Sequence, residues 1–391
     1  MKIDSVDFHY LAMPEIRDIG DGSQDALLVR VQAGGNEGWG ECEASPLVTM
    51  AAWNCPMSHS ACKPVSDSVL NQPLNDPKDI PRIHQLVREQ SLDLLQTDHL
   101  LSGIDIALWD LLGRKLETPV YQLLGYERAF PKLPYASQLF GDTPEQTFEK
   151  AQAVRTNQYR AAKFGWGPYG RGSVKEDCDH VQAAREGLGD DGILLVDAGT
   201  VWQDDVETAS HRLEALQRCR VEWLEEPFIS AALGAYHQLS LKSNSVKLAA
   251  GEGCHQAHQA FNMMEYAGLG YIQIDTGRVG GITSAYQVAQ RAAQKQIAYV
   301  NHTFTSYLAL SASLQPYAGL ESHHICEYPV EASTLARKLT QTSMIPDKDG
   351  MITVPEAPGL GLAIDPETIA RYQQEVQIKV NNRIVCESTR R

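Results

Sequence analysis

The strongest constraint on this chain is a repeated pattern of short apolar runs, each ending in a residue type that can carry chemistry. Seven such runs end 23 to 34 residues apart, which is about the length of one strand and one returning helix. The runs end at Lys163, Asp197, Glu225, Glu252, Asp275, His302 and Glu327. A βα unit repeated this often predicts parallel strands closing into a barrel. Because the active site of such a barrel lies where its strands end, we expect these side chains to share one pocket.

The length of 391 residues leaves room for a smaller domain beside one barrel of about 250 residues. Residues 1–45 alternate in polarity around turn glycines, which predicts an antiparallel meander. Helical spacing predicts helices near 79–91 and from 99 to 125, and the first barrel strand is expected near 133–139. The predicted divisions are an N-terminal domain over 1–127, the barrel over 128–332, and a C-terminal segment over 333–391 that packs back on the first domain.

The segments between the predicted strands carry the pattern of surface helices, with apolar residues three or four positions apart beside charges. Examples are 144–157, 175–189, 205–219 and 284–296. Residues 47–75 show weak periodicity and predict a long surface loop.

Composition excludes several classes of function. The formal net charge of −15 argues against a nucleic-acid-binding protein, which normally presents a basic surface. The eight cysteines show neither CxxC pairs nor regular spacing, so we expect reduced thiols. The N-terminal sequence lacks the apolar core of a signal peptide, and no apolar run of about 18 residues occurs. These features predict a cytoplasmic protein without a membrane segment.

Three of the seven strand-end residues are carboxylates on consecutive strands: Asp197, Glu225 and Glu252. Three acids in one pocket repel each other, and burial raises their pKa values further. A divalent cation resolves this conflict, and carboxylates without soft ligands suit Mg²⁺. A single acid at a strand end can instead cap a helix or form a surface ion pair, so the prediction depends on all three. Glu226 adjoins Glu225, and only one of the two can point inward because side chains alternate along a strand.

Asp275 and His302 end the next two strands and form a candidate acid–base pair. A carboxylate bound to one imidazole nitrogen fixes the tautomer and raises the basicity of the ring, which suits a general base. A lone histidine is more often structural, but a position opposite three acids favours catalysis. Lys163 can neutralise a substrate carboxylate, and Glu327, if protonated, can donate a hydrogen bond to an oxyanion.

At these residues the sequence resembles the enolase superfamily, and within it the mandelate racemase branch. The barrel motifs that carry the resemblance are K-x-x at 163–165, VDAG at 196–199, LEEP at 224–227, AAGE at 249–252, QIDTGRVGGIT at 273–283, NHTF at 301–304 and CEYP at 326–329. Two more blocks lie outside the barrel, GIDIALWDLLGRK at 103–115 and PGLGLAID at 358–365. The resemblance therefore covers nearly the whole chain.

The resemblance implies an α/β fold: a modified TIM barrel, (β/α)7β, under an α+β capping domain built from the N-terminal part and the C-terminal tail. It implies one Mg²⁺ ion on the three carboxylates, a His302–Asp275 dyad, and Glu327 as hydrogen-bond donor to the substrate carboxylate. The expected partner is a small carboxylate, a sugar acid. Relatives are often symmetric assemblies, so we expect a homo-oligomer.

The sequence departs from the family pattern in the K-x-K strand motif, whose first lysine maps to Lys163 and whose second maps to Gly165. Relatives that racemise use the second lysine on one face of the α-carbon and the dyad on the other. One base is sufficient for β-elimination of water, since it can take the α-proton and return it to the leaving hydroxyl. We therefore predict dehydration of an aldonate or aldarate to a 2-keto-3-deoxy acid. The alternatives are a racemase, epimerase or cycloisomerase in the same superfamily, and a barrel used only for binding.

Specificity is expected from loops around the pocket. The segment FGWGPYGRG at 164–172 is glycine-rich and can approach a substrate closely. Trp166 can stack on a sugar face or pack under a lid, and His255 can contact substrate hydroxyls or have no role in the site. The loops near 15–24 and 43–58 are predicted to form the lid.

Overall fold

The first part of the chain forms a three-stranded antiparallel sheet with helices packed against it. The computed structural model describes residues 1–44, 46–94 and 97–388. The strands are β1 (Ile3–Ala12), β2 (Asp25–Ala33) and β3 (Asn36–Cys42), and the helices are α1 (Pro46–Trp53), α2 (Val65–Val69), α3 (Asp79–Gln90), α4 (Thr97–Lys115) and α5 (Val120–Leu123). The meander is confirmed. The predicted loop over 47–75 contains two short helices, and the predicted helix over 99–125 is divided before Pro119.

Helix α4 packs directly on β3 because that strand carries glycine where the helix crosses it. A Cβ atom on Gly40 would lie 2.1 Å from the carbonyl oxygen of Gly103, and one on Gly38 would lie 2.2 Å from that of Ala107. No side chain fits such a contact. The glycines of the GWGE run thus hold the helix in place, and Glu43 follows just beyond the end of the strand.

Eight parallel strands form the second sheet, in the order β10-β9-β8-β7-β6-β5-β4-β11. They are β4 (Leu133–Leu139), β5 (Ala161–Gly165), β6 (Ile193–Asp197), β7 (Val221–Glu225), β8 (Lys247–Ala250), β9 (Tyr271–Asp275), β10 (Ala298–His302) and β11 (Ile325–Pro329). Strands that follow each other in sequence are neighbours in space, as expected for a βα barrel. Strands β10 and β11 stand at the two ends of this order. They are joined there by the Asn301 side chain, whose Oδ1 accepts a hydrogen bond from the Glu327 N–H at 3.0 Å.

The helices between these strands cover the outside of the barrel. They are α6 (Pro144–Thr156), α7 (Val174–Leu188), α8 (Val206–Ser210), α9 (Leu213–Arg218), α10 (Leu233–Lys242), α11 (Ala257–Tyr266), α12 (Gly281–Lys295) and α13 (Tyr307–Leu314). The helix predicted over 205–219 is two helices. The break falls at Arg212, whose guanidinium pairs with buried Asp177 at 2.9 Å. The nearly closed barrel with a separate N-terminal sheet confirms the predicted fold class.

The chain after the barrel returns to the first domain. It contains α14 (Thr334–Lys338), α15 (Pro366–Tyr372), β12 (Gln377–Val380) and β13 (Arg383–Glu387). Buried Asp110 of α4 accepts hydrogen bonds from Trp39 N–H at 3.0 Å and Leu360 N–H at 2.8 Å, which joins α4, β3 and the returning segment. The divisions at 127 and 332 stay predictions. All eight cysteines are free, and no helix in the described part of the chain is long and apolar enough to span a bilayer.

Candidate active site

The candidate site forms because barrel side chains alternate between the interior and the helix layer. One interior layer consists of Tyr135, Ala161, Leu195, Trp223, Ala249, Val300 and Ile325. Side chains two positions farther along a strand point the same way. The next interior layer, at the carboxyl end of the strands, therefore contains Ser137, Lys163, Asp197, Glu225, His302 and Glu327, and strand register places Asp275 beside His302. The apolar layer closes the barrel beneath these polar groups.

A cavity of about 720 Å³ lies above this polar layer. Lys163, Asp197, Glu252, His302 and Glu327 line it from the barrel, whereas Glu225 lies beneath the surface with no exposed area. The first domain contributes residues 18–22 and Glu43. Of the predicted lid, the first loop therefore reaches the cavity over 18–22, and the second contributes Glu43 alone among its described residues.

Lys163 is the centre of a buried ion-pair network. Its Nζ lies 2.5 Å from Glu225 Oε1, 2.8 Å from Glu327 Oε1 and 3.9 Å from Asp197 Oδ2. Burial disfavours the ammonium, but Glu225 and Glu327 outweigh burial and raise the pKa of Lys163 well above its usual value. Lys163 is thus a fixed positive charge at the barrel floor.

Glu327 accepts two hydrogen bonds in this structure, and its predicted role as a donor to the substrate carboxylate stays a prediction. Ser137 Oγ donates to its Oε1 at 2.8 Å, and the Thr303 N–H donates to its Oε2 at 2.6 Å. Burial raises the pKa of Glu327, but Lys163 and then His302 outweigh burial and lower it. The group is therefore a carboxylate here, and a donor role requires that it first gain a proton.

The His302–Asp275 pair has the geometry expected of a dyad. Strand register sets the two residues side by side, and His302 Nδ1 lies 2.7 Å from Asp275 Oδ2. The Gly277 N–H donates to the other Asp275 oxygen at 2.7 Å, which fixes the carboxylate. His302 Nε2 faces the cavity but lies 3.1 Å from Glu252 Oε2. Burial lowers the pKa of His302, and the carboxylates, led by Glu252, outweigh it and raise that pKa to about 10.

Glu43 and Arg278 join the first domain to the barrel at the cavity wall. Arg278 Nε lies 2.5 Å from Glu43 Oε2, and its Nη1 lies 3.5 Å from Glu252 Oε1. The sequence interpretation missed both residues. Arg278 could have been found from its place three residues after Asp275 in the QIDTGRVGG motif, whereas no local signal identifies Glu43.

Of the three predicted metal ligands, Asp197 and Glu252 line the cavity, whereas Glu225 lies beneath its surface. In the described residues, no group of three His, Cys, Asp or Glu side chains is arranged to hold a metal ion. Glu225 is engaged by Lys163, and the Trp223 Nε1–H donates to it at 3.0 Å. Glu252 is engaged by His302.

The chemistry of these three side chains nevertheless fits a divalent cation. Burial and the nearby charges of Glu225 and Glu252 raise the pKa of Asp197 well above its usual value. Buried carboxylates in mutual repulsion are the donor set that Mg²⁺ compensates best. Glu226 adds a further buried carboxylate, with an Oε1 atom that has no hydrogen-bond partner in the described chain. Glu225, rather than Glu226, shares the inward direction of Trp223 and contacts Lys163.

Trp166 lines the cavity and also packs against the lid. A Cβ atom on Gly20 would lie 3.1 Å from Cγ and Cδ2 of the indole, and one on Gly199 would lie 3.0 Å from its Cε2. Trp166 has a φ of 57° and 42% exposure, so its ring is held between a loop of the first domain and the loop after β6. The ring therefore packs against the first-domain loop and also lines the cavity.

The position of His255 does not support the predicted contact with substrate. Its side chain lines a second cavity of about 410 Å³, together with His99 and Asp98. The His99 and His255 rings lie 5.2 Å apart. His255 follows Glu252 by three residues, but the chain turns away from the main cavity in between.

Comparison with known proteins agrees with this architecture. The family "Enolase C-terminal domain-like" matches residues 146–368, and the family "Mandelate racemase / muconate lactonizing enzyme, N-terminal domain" matches residues 19–125. A solved structure described as a predicted mandelate racemase from Rhodobacter sphaeroides is 54% identical, with a TM-score of 0.95 and full coverage of both chains.

Two relatives illustrate the reactions found among similar sequences. The 3,6-anhydro-alpha-L-galactonate cycloisomerase of Streptomyces coelicolor is 30% identical over 69% of this chain and 71% of its own. The arabinonate dehydratase of Saccharolobus solfataricus is 27% identical over 70% of this chain and 72% of its own. One name is that of an isomerase and the other that of a lyase, and both name sugar-derived acids.

Proposed function

Since the chain belongs to the enolase superfamily, in its mandelate racemase branch, we propose that it is an acid-sugar dehydratase. It would remove the proton α to a carboxylate and then expel the β-hydroxyl as water. The observation that carries the proposal is the environment of Gly165, because it bears on whether strand β5 can hold a second base at that position; a second acid or base would otherwise have to come from Lys163 or a lid residue.

Gly165 pairs with Asp197 in the strand register and touches it closely. A Cβ atom on Gly165 would lie 2.7 Å from Asp197 Oδ2 and 2.9 Å from its Cβ. Any side chain at position 165 would displace Asp197, so the position cannot carry a base while Asp197 stays where it is. His302 is then the base supported by a carboxylate partner, and it serves one face of the α-carbon.

The residues around the cavity would share the reaction as follows. His302 Nε2 takes the α-proton, the C2–C3 double bond forms and the C3–O bond breaks. The imidazolium returns the proton to the departing hydroxyl, so that water leaves and the enol becomes a 2-keto acid. Lys163 offers a fixed positive charge to the substrate carboxylate. The Asp275 carboxylate holds the imidazole in the tautomer that keeps Nε2 free to accept a proton.

The cation belongs to this proposal as well. Asp197, Glu225 and Glu252 would hold Mg²⁺, the ion that active sites of the enolase superfamily use. When bound, the ion would stabilise negative charge on the substrate carboxylate and compensate the carboxylates that raise the pKa of His302.

The test combines a substrate screen with one variant. Sugar acids incubated with the enzyme and Mg²⁺ are scored for 2-keto acid, and α-proton exchange is followed in deuterium oxide. We expect keto acid from the native enzyme, and both elimination and exchange to fall by about a hundredfold or more in His302→Asn. Full dehydration by that variant would refute the assignment of the base.

An isomerase is the second candidate, and the cycloisomerase relative favours it. A cycloisomerase also needs one base, followed by ring opening or closure rather than loss of water. A product of unchanged elemental composition, with no keto acid from any sugar acid in the screen, would decide for that reaction.

A further inference from the structure

The cavity extends well beyond the groups that would handle one carboxylate and its α-carbon. Its barrel end holds Lys163 and His302, which are almost fully buried, whereas its mouth is lined by exposed Arg171 in the loop between β5 and α7. A volume of about 720 Å³ lies in the range of pockets that enclose a whole small molecule. A substrate bound by its carboxylate at the barrel end therefore extends its far end toward this mouth.

Arg171 differs from the other cations of the cavity wall because it has no anionic partner. Lys163 is committed to Glu225 and Glu327, and Arg278 is committed to Glu43. In the described part of the chain, the Arg171 guanidinium makes neither an ion pair within 4.0 Å nor a hydrogen bond. A guanidinium presents donors in a planar fork that fits a carboxylate with two hydrogen bonds.

The loop that carries Arg171 is anchored on both sides of it. The Gly170 N–H donates to Asp177 Oδ1 at 2.8 Å, and Arg212 Nη2 donates to the Gly172 carbonyl at 3.5 Å. Asp177 and Arg212 are themselves a buried pair, 2.9 Å apart. The backbone under Arg171 is thus fixed before any ligand arrives, which reduces the entropy that binding must remove.

We propose that Arg171 binds a second carboxylate at the far end of the substrate, so that the enzyme prefers aldarates, which are diacid sugars, to aldonates. This inference rests on the proposed function, because it concerns the same cavity and the same sugar acid. Asp18 and Asp142 also line the mouth, and their carboxylates accept hydrogen bonds from sugar hydroxyls. A distal ammonium group would suit these two acids but would meet the Arg171 charge.

The experiment compares matched acids that differ in one group. Each hexonate and pentonate is paired with the aldarate of the same configuration, so that the far end is either a hydroxymethyl or a carboxylate. Binding is measured by calorimetry with Mg²⁺ in the His302→Asn background, where turnover does not interfere. The same pairs are then assayed for 2-keto acid with the native enzyme.

We expect at least one aldarate to bind about tenfold or more tightly than its matched aldonate. Adding Arg171→Gln should weaken binding of the aldarate by about tenfold to a hundredfold and leave binding of the aldonate unchanged. Arg171→Lys should recover part of the lost affinity. Arg220→Gln is the matched control, because it removes the same charge from an exposed residue paired with Asp190. It should leave the affinity for both acids unchanged. In turnover, Arg171→Gln should raise KM for the aldarate with kcat retained.

Equal binding of matched acids, equal weakening of both by Arg171→Gln, or binding of an amino-substituted acid in preference to every aldarate would overturn the inference. The two proposals fail separately. An Arg171-dependent preference for aldarates without keto acid refutes dehydration alone, whereas keto acid formed equally from matched acids refutes the role of Arg171 alone.

Discussion

Gly165→Ala tests directly whether the space beside Asp197 is needed for the proposed metal site. The added methyl would meet Asp197 at three atoms, Oδ2 at 2.7 Å, Cβ at 2.9 Å and Cγ at 3.0 Å. Non-bonded carbon contacts are favourable at about 3.5–4.0 Å, so Asp197 has to move by about half an ångström or more. It cannot move freely, because the Gly199 N–H holds its Oδ1 at 2.7 Å.

The expected cost is that of an overpacked core, about 1–3 kcal/mol of unfolding free energy. A displaced ligand should also weaken Mg²⁺ binding by about tenfold to a hundredfold, the range found when groups that orient metal ligands are changed. Thermal unfolding measures the first effect, and calorimetric titration with Mg²⁺ measures the second.

Gly234→Ala is the matched control for the same substitution. Gly234 lies in α10, and a Cβ atom there would meet nothing within 4 Å, so alanine should be neutral or stabilise the helix by up to about 1 kcal/mol. If Gly165→Ala bound Mg²⁺ like the native protein and unfolded at the same temperature, the steric reasoning about Gly165 would be refuted, and with it the claim that position 165 cannot hold a base.

Three further predictions concern other parts of the molecule. Lys163→Met should abolish turnover and destabilise the fold by about 3–5 kcal/mol, because it removes the ammonium that pairs with two fully buried carboxylates, Glu225 and Glu327; an unchanged thermal midpoint would contradict this. Trp166→Ala should raise KM by about tenfold with a smaller change in kcat, because it removes a ring that lines the cavity and packs against Gly20 of the lid loop. Steady-state kinetics measure both constants. Burial lowers the pKa of His84 to about 3 and that of His323 to about 4. Below pH 6.5 the unfolded chain therefore binds more protons, and stability should fall by about 2 kcal/mol per histidine at pH 5. Thermal midpoints at about pH 7.5 and pH 5 measure this loss, which His84→Gln should reduce.

The sequence predicted the positions of the site because the barrel repeats one local rule. A strand that ends in a polar residue, followed by a helix that returns the chain, brings each such residue to the same rim. Asp275 and His302 are 27 residues apart, and strand pairing alone sets them side by side. The same rule located Lys163 and Asp197.

The sequence could not predict contacts between the two domains or the protonation of the buried groups. Glu43 and Arg278 are 235 residues apart, and no periodicity in either segment indicates the other. The protonation of His302 and Glu327 depends on which carboxylates surround them, and that depends on the sum of many distances. Nearness in sequence can also mislead. His255 follows Glu252 by three residues, yet the turn between them places its side chain in another cavity.

The ion pairs at the cavity wall make the first domain part of the electrostatics of the site as well as its cover. Glu43 binds Arg278, Arg278 approaches Glu252 at 3.5 Å, and Glu252 lies 3.1 Å from His302 Nε2. If the loop that carries Glu43 moved away, Arg278 would keep only the Glu252 side of its pairing and would attract that carboxylate more strongly. The charge on Glu252 raises the pKa of His302, so the position of the first domain influences the proton affinity of the proposed base. A barrel with the same strand-end residues under a different cover would therefore hold the same histidine at a different pKa.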